Sequence, residues 1–184
     1  MEPLKMDIKT SLKQLKAFAR VEGLYLGLMW LVSFFFMVYL PQSLWGNLMI
    51  LSTPFFVAWR AKWFRNKVLN GFISFKRAFV YLMYMFFYGS LIFATGQFIY
   101  FKFFDHGNFL SFLTSTLNQL IPIYKEGGVN INDLKESLNM LSTMSHGEMV
   151  MMFFSQNIMI GIVLSAVVAL VVARKNERPQ HFNL

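Results

Sequence analysis

The stretch that decides the fold is GLYLGLMWLVSFFFMVYLPQSLWGNLMILSTPFFVAW, residues 23–59, which contains no charged side chain. As one straight helix it would reach about 55 Å, nearly twice the thickness of a hydrocarbon core of about 30 Å. The chain must therefore turn back within this stretch, and Pro41-Gln42-Ser43 is the suitable breaker. This predicts two membrane-spanning helices, at 23–40 and about 43–59.

Two further charge-free stretches follow, at 78–101 and 149–173, and the fourth span is predicted at about 148–173. Each is long enough to cross a bilayer once. The sequence therefore predicts an all-α, polytopic membrane protein with four transmembrane helices, and the even number places both termini on the same side.

The distribution of Lys and Arg gives the orientation. Of the seventeen cationic residues, fourteen precede the first span, lie between the second and third, or follow the fourth. Because such residues stay cytoplasmic, both termini are predicted to be cytoplasmic. Only 14% of the residues are charged, against roughly 25% in soluble domains. The net charge of +8 is explained by this flanking pattern, so we expect no binding to nucleic acid.

The spans divide the chain into a cytoplasmic amphipathic interfacial helix at 1–22, a transmembrane domain at 23–173 and a cytoplasmic tail at 174–184. Residues 105–147 are predicted to form an exported insert between the third and fourth spans. Apolar spacing predicts two helices there that cap the bundle, the first ending near Pro122 and the second capped by Asn130 or Asn132.

Two basic segments carry apolar residues at helical spacing, which is typical of helices lying on a membrane surface. We interpret them as surface anchors that face lipid, and the alternative is a docking surface for a cytoplasmic partner. The cations concerned lie in the N-terminal segment and in the second loop: Lys9, Lys13, Lys16, Arg60, Lys62, Arg65 and Lys67.

No ionisable residue lies within the four predicted spans, and no catalytic motif is present, so we predict no catalytic residue and no cofactor. Uncharged polar residues do occur in the spans. We expect these to bond across helices, with the lining of a polar pathway as the alternative: Asn47, Gln97, Gln156 and Asn157. Pro54 is predicted to kink the second span.

Small residues recur at four-residue spacing and predict close helix contacts, either within the bundle or with a partner helix. They are Gly23 and Gly27 in the first span and Gly161, Ser165 and Ala169 in the fourth.

Four residues bracket the insert and have side chains that can bind a divalent metal: Asp105, His106, His146 and Glu148. If the ends of the third and fourth spans adjoin, these side chains could converge. Helix capping and interfacial exposure are the interpretation that we adopt, and we predict no metal.

Three segments carry a resemblance to a known family: NGFISFKRAF (70–79), YFKFFD (100–105) and residues 161–175. Through them the chain resembles an uncharacterised family of bacterial inner-membrane proteins, the domain of unknown function 4199 (DUF4199). The resemblance implies a bacterial inner-membrane location, which makes the insert at 105–147 a periplasmic one. It also implies a membrane partner, because members are often encoded near a polyprenyl-phosphate-type glycosyltransferase.

We therefore expect a non-catalytic accessory or scaffold subunit that recruits or stabilises a membrane-associated partner. The glycosyltransferase is the suspected partner, with a homo-oligomer as the other possibility. The alternative function is an oligomeric carrier or channel for a lipid or small solute, lined by Asn47, Gln156 and Asn157. An enzyme acting on lipid through His106 and His146 is the third hypothesis.

Overall fold

The computed structural model describes residues 8–127 and 130–174, with the side chains of residues 8–12 and of Glu126 outside the description. The described residues form seven α-helices and no strand. The helices are α1 (Ile8–Tyr39), α2 (Leu44–Leu51), α3 (Thr53–Lys67), α4 (Phe75–Phe103), α5 (Asn108–Glu126), α6 (Ile131–Thr143) and α7 (His146–Val172). The predicted all-α class is confirmed. The predicted segments at 1–7 and 175–184 lie outside the described residues.

Three helices are long and apolar enough to cross a membrane: Lys13–Tyr39 within α1, Phe75–Phe103 and His146–Val172. They correspond to the first, third and fourth predicted spans. Many large apolar side chains on these helices point outward, among them Leu170 at 71% and Met159 at 69% exposed. Such a surface requires lipid around it, and the chain is a membrane protein.

The first helix is continuous through the predicted boundary at residues 22 and 23. No proline interrupts α1, and Leu15 and Ala19 are buried in the same core as Leu26. The interfacial helix predicted at 1–22 is therefore, from Ile8 onward, the first part of α1. Amphipathic spacing alone could not separate these outcomes, because a surface helix and a helix packed in a bundle both have one apolar face.

The second predicted span, at 43–59, is instead two helices separated at Ser52. Pro54 occupies the first turn of α3, where its missing N–H group costs no hydrogen bond. Separately, α2 has 8 residues and α3 has 15, so neither reaches the length of a single span. Furthermore, α3 continues past residue 59 to Lys67, through residues predicted to form a loop.

Helix α4 lies at the centre, between α1 and α7. Glycines allow both close approaches. A Cβ atom on Gly27 would lie 2.8 Å from the carbonyl oxygen of Gly89 in α4, and one on Gly161 would lie 2.8 Å from the Cβ atom of Phe86. The small residues predicted to permit close packing therefore do so within the bundle.

One end of the bundle, which we call the basic end, brings together the ends of three helices. The backbone of Ile73, just before α4, pairs with that of Arg174, just after α7. Arg65 near the end of α3 donates to the Val172 carbonyl oxygen at 2.9 Å. The start of α1 lies at the same end, because α1 runs parallel to α4 and the ring of Phe18 is 5.3 Å from that of Phe64.

At the opposite end, α5 packs its first turns against the bundle. Phe109 is buried in a cluster with Val38, Phe101 and Val150. Helix α5 contains Pro122 and continues to Glu126, so the predicted end near Pro122 is wrong. Asn130 caps α6 as predicted, through its side chain, but α6 has no buried residue and contacts mainly α5.

Candidate functional site

A buried ion pair joins α1 to α3. Both carboxylate oxygens of Glu22 accept hydrogen bonds from Arg60, one from Nε and one from a terminal guanidinium nitrogen. The Glu22 side chain is 3% exposed and that of Arg60 is 19% exposed. It is the one ion pair among the described residues. Such a bidentate geometry is the strongest form of carboxylate–guanidinium contact.

The guanidinium of Arg60 is also surrounded by aromatic rings. Its central carbon lies 5.1 Å from the ring centroids of Trp59 and Trp63 and 5.9 Å from that of Tyr25. Cation–π attraction at this range adds to the ion pair. The position of the Arg60 guanidinium is therefore fixed by four side chains from two helices.

Beside the ion pair lies an open groove between α1 and α3, with a volume of about 380 Å³. Apart from Glu22 and Arg60, its lining is apolar and aromatic: Ala17, Phe18, Val21, Tyr25 and Trp63. Glu22 uses two N–H groups of Arg60, and a guanidinium has five. The second terminal nitrogen makes no hydrogen bond with any described residue. The arrangement can thus hold α3 against α1 and still present donors to a ligand.

This site corrects the prediction that no ionisable residue lies in a span. Glu22 falls within the span Lys13–Tyr39. Arg60, predicted to be an exposed loop cation, is paired and largely buried. The sequence did contain a signal, because Glu22 and Arg60 directly flank the stretch 23–59. When that stretch folds back on itself, its two ends meet at one depth.

The other predicted basic residues divide into two groups. Arg65 is half-buried and donates to the Val172 carbonyl oxygen at the end of α7. Basic side chains commonly bond there, because the last carbonyl groups of a helix have no partner within the helix. Lys13, Lys16, Lys62 and Lys67 are exposed at or near the basic end. The side chain of Lys9 lies outside the described residues.

The four polar residues predicted in the spans are not brought together. Asn47 and Gln156 are exposed, whereas Gln97 is buried with its Oε1 atom unpaired among the described residues. Asn157 lines a second cavity, of about 220 Å³, together with Trp30 and Thr53. None of the four makes a hydrogen bond between helices within the described part of the chain.

Other side chains make the polar contacts between helices. The indole N–H of Trp30 donates to the hydroxyl of Thr53 at 3.0 Å, and the hydroxyl of Ser33 donates to the Gly46 carbonyl oxygen at 2.7 Å. Nothing in the sequence distinguishes Trp30 or Ser33, because an indole and a hydroxyl are also common on apolar helices without any partner.

Of the four candidate metal ligands, the two carboxylates bond instead at the starts of α5 and α7. Asp105 accepts from the Phe109 N–H at 2.9 Å and from the Tyr100 hydroxyl at 3.2 Å. Glu148 forms a capping box with Ser145 at the start of α7. His106 and His146 are exposed. Among residues 8–127 and 130–174, no group of three or more His, Cys, Asp or Glu residues could hold a metal ion.

Comparison with known proteins gives one informative result. Neither the curated proteins nor the solved structures contain a match. A family model described as "Protein of unknown function (DUF4199)" matches residues 22–174, which include Glu22, Arg60, all of α2 to α7 and most of α1. The chain belongs to the DUF4199 family.

Proposed function

We propose that the protein crosses the bacterial inner membrane four times, with both termini in the cytoplasm. The support comes from α2 and α3, which together supply the second crossing along the chain, in addition to those of α1, α4 and α7. Helix α2 begins near the far end of α1, where Gly46 packs on Ser33 and Met37. Helix α3 ends near the start of α1, where Phe64 packs on Phe18. The 8 residues of α2 and the 15 of α3 together rise about 35 Å, enough to traverse the bilayer.

Within the membrane, the protein acts as a non-catalytic accessory subunit that recruits or stabilises a membrane-associated partner. One observation carries this proposal. Exposed cations crowd the basic end, while Glu22, the acidic residue described nearest to it, is already paired with Arg60. The exposed cations on that side are Lys13, Lys16, Arg20, Lys62, Lys67, Lys76, Arg77 and Arg174.

The partner that fits this surface presents acidic groups at the cytoplasmic leaflet. A polyprenyl-phosphate glycosyltransferase is the first candidate, since the family resemblance suggests that association. Site-specific photocrosslinking in native membranes tests the proposal, with the reactive group at position 62 on the basic end or at position 125 in α5. We expect a discrete protein adduct from position 62 only. Equal labelling from both positions, or adducts with lipid alone, would count against a docking role.

A carrier for a small solute or lipid is the second candidate, favoured by the cavity of about 220 Å³ beside Asn157. It lies where α7 faces the junction of α2 and α3, and its lining is otherwise mainly apolar. Flux of fluorescent lipid across reconstituted vesicles tests this function. Flux that falls in Asn157→Leu and persists in the exposed control Gln156→Leu would support it, and no flux above empty vesicles would exclude it.

A further inference from the structure

The groove between α1 and α3 has a polar floor, an apolar wall and basic residues at its mouth. Val21 and Tyr25 on its wall are 51% and 53% exposed, and Trp63 is 37% exposed. No described side chain covers them, so the groove opens to whatever surrounds the bundle. In a membrane protein, that surrounding is lipid.

The groove runs along the bundle from inside the hydrocarbon toward the basic end. Glu22 packs at the level of Met85, because its neighbour Gly23 lies against Met85 and Tyr88. Met85 is ten residues into α4, about 15 Å from its start at the basic end. The 29 residues of α4 rise about 43 Å, longer than a hydrocarbon core of about 30 Å. The groove thus extends from inside the hydrocarbon toward the head groups.

Two lysines lie at the outer end of this groove. Lys13 is one helical turn before Ala17, and Lys67 is one turn after Trp63, so each shares a helix face with a lining residue. Both lysines are exposed. Because Glu22 neutralises Arg60, the two lysines give the site a net positive charge. An occupant with an apolar chain and a net negative head group is complementary to this arrangement.

We propose that the groove is a specific binding site for one anionic phospholipid of the inner leaflet. The phosphate accepts hydrogen bonds from the free terminal nitrogen of Arg60, and Lys13 and Lys67 attract the remaining negative charge. An acyl chain lies along Val21 and Tyr25. The Glu22 carboxylate orients Arg60 so that its unused donors face the groove. This site is independent of whether a protein partner docks at the basic end.

The test uses the full-length protein in phosphatidylcholine nanodiscs that also contain phosphatidylglycerol. Native mass spectrometry counts the lipids that stay bound when the protein is released from the nanodisc. We expect the wild type to retain phosphatidylglycerol in preference to phosphatidylcholine. The double variant Lys13→Gln/Lys67→Gln should lose that preference by roughly thirtyfold in affinity, since each lysine near the membrane surface contributes roughly fivefold.

The matched control is Lys62→Gln/Lys76→Gln, which removes the same charge on that side of the bundle but outside the groove. Lys62 is two residues after Arg60 and points to another face of α3. If this control loses the preference as strongly, the binding is general surface electrostatics and the proposal fails. Wild type without any preference would overturn it as well.

A third variant, Val21→Trp, fills the groove without changing the charge. Val21 is half exposed, so the larger side chain can be accommodated without disturbing the core. We expect one fewer retained phosphatidylglycerol per protein. Unchanged retention in this variant would show that the lipid binds elsewhere.

Discussion

At the scale of single residues, the contact between Glu22 and Arg60 places two opposite charges together against the apolar bundle. A charge near hydrocarbon is tolerated when a partner neutralises it and satisfies its hydrogen-bonding groups. Arg60 supplies both to Glu22, and three aromatic rings then hold Arg60 in place. The pair therefore specifies where α3 packs along α1.

Replacing Glu22 with Ala should destabilise the protein by about 3 kcal/mol, because Arg60 is left largely buried without a counter-charge. The double variant Glu22→Leu/Arg60→Met removes both charges and should recover most of that loss. Reversible unfolding in mixed micelles, followed by circular dichroism, measures both values. Equal losses in the single and double variants would contradict this explanation, because the loss would then not come from an unpaired Arg60.

The sequence predicted that charged residues border the apolar stretch 23–59, but it did not predict that two of them form an ion pair. It assigned Arg60 to an exposed loop. That assignment follows the usual rule that charge marks the end of a span. The rule fails here because Glu22 neutralises Arg60. The sequence does not reveal this pairing, because the two residues are 38 positions apart and only the fold brings them together.

At the scale of helices, apolar length predicted the spans closely where no proline intervened. The predicted span at 78–101 is α4 at Phe75–Phe103, and that at 148–173 is α7 at His146–Val172. In the second span, Pro54 is predicted to kink one helix, and the chain instead ends α2 and begins α3 there. A kinked helix and two consecutive helices differ by only a few backbone angles, and a proline in the sequence is compatible with both.

The interface between α1 and α4 should be the least tolerant of added atoms. A Cβ atom on Gly27 would lie 2.7 Å from that of Ile92 and 2.8 Å from the Gly89 carbonyl oxygen. We expect Gly27→Ala to cost about 1–3 kcal/mol, as overpacking does in a close-packed core. The same unfolding measurement checks this expectation.

Gly147 provides the matched control, because a Cβ atom there has nothing within 4 Å. Gly147→Ala should change the free energy of unfolding by no more than about 0.5 kcal/mol. A similar loss at both positions would mean that the close contact between α1 and α4 is not the cause of the loss at Gly27, because Ala has a higher helix propensity than Gly.

At the scale of the whole molecule, the two ends of the bundle differ in charge and in how tightly their helices are held together. The basic end is fastened by backbone and side-chain bonds among the ends of α3, α4 and α7. The opposite end carries α5 and α6, of which α6 buries none of its residues. This asymmetry is consistent with a working surface at the basic end and a loosely packed insert at the other.

The proposed four crossings predict a definite pattern of chemical labelling. The sequence has no cysteine, so single cysteines can be introduced without background at Gln42, Lys76 and Asn139, all of which are exposed. In spheroplasts, an impermeant maleimide should label positions 42 and 139 at once. Position 76 should react only after the membrane is permeabilised. Opposite accessibility of positions 42 and 139 would rule out four crossings.

The separation of Glu22 from Arg60 also sets a requirement on biosynthesis. At roughly 5–20 residues per second, the ribosome needs about 2–8 s to add the 38 positions between them. During that interval the Glu22 carboxylate lacks the guanidinium that pairs with it in the folded protein. The hairpin of α1 with α2 and α3 is therefore the first unit of the chain in which this ion pair can form.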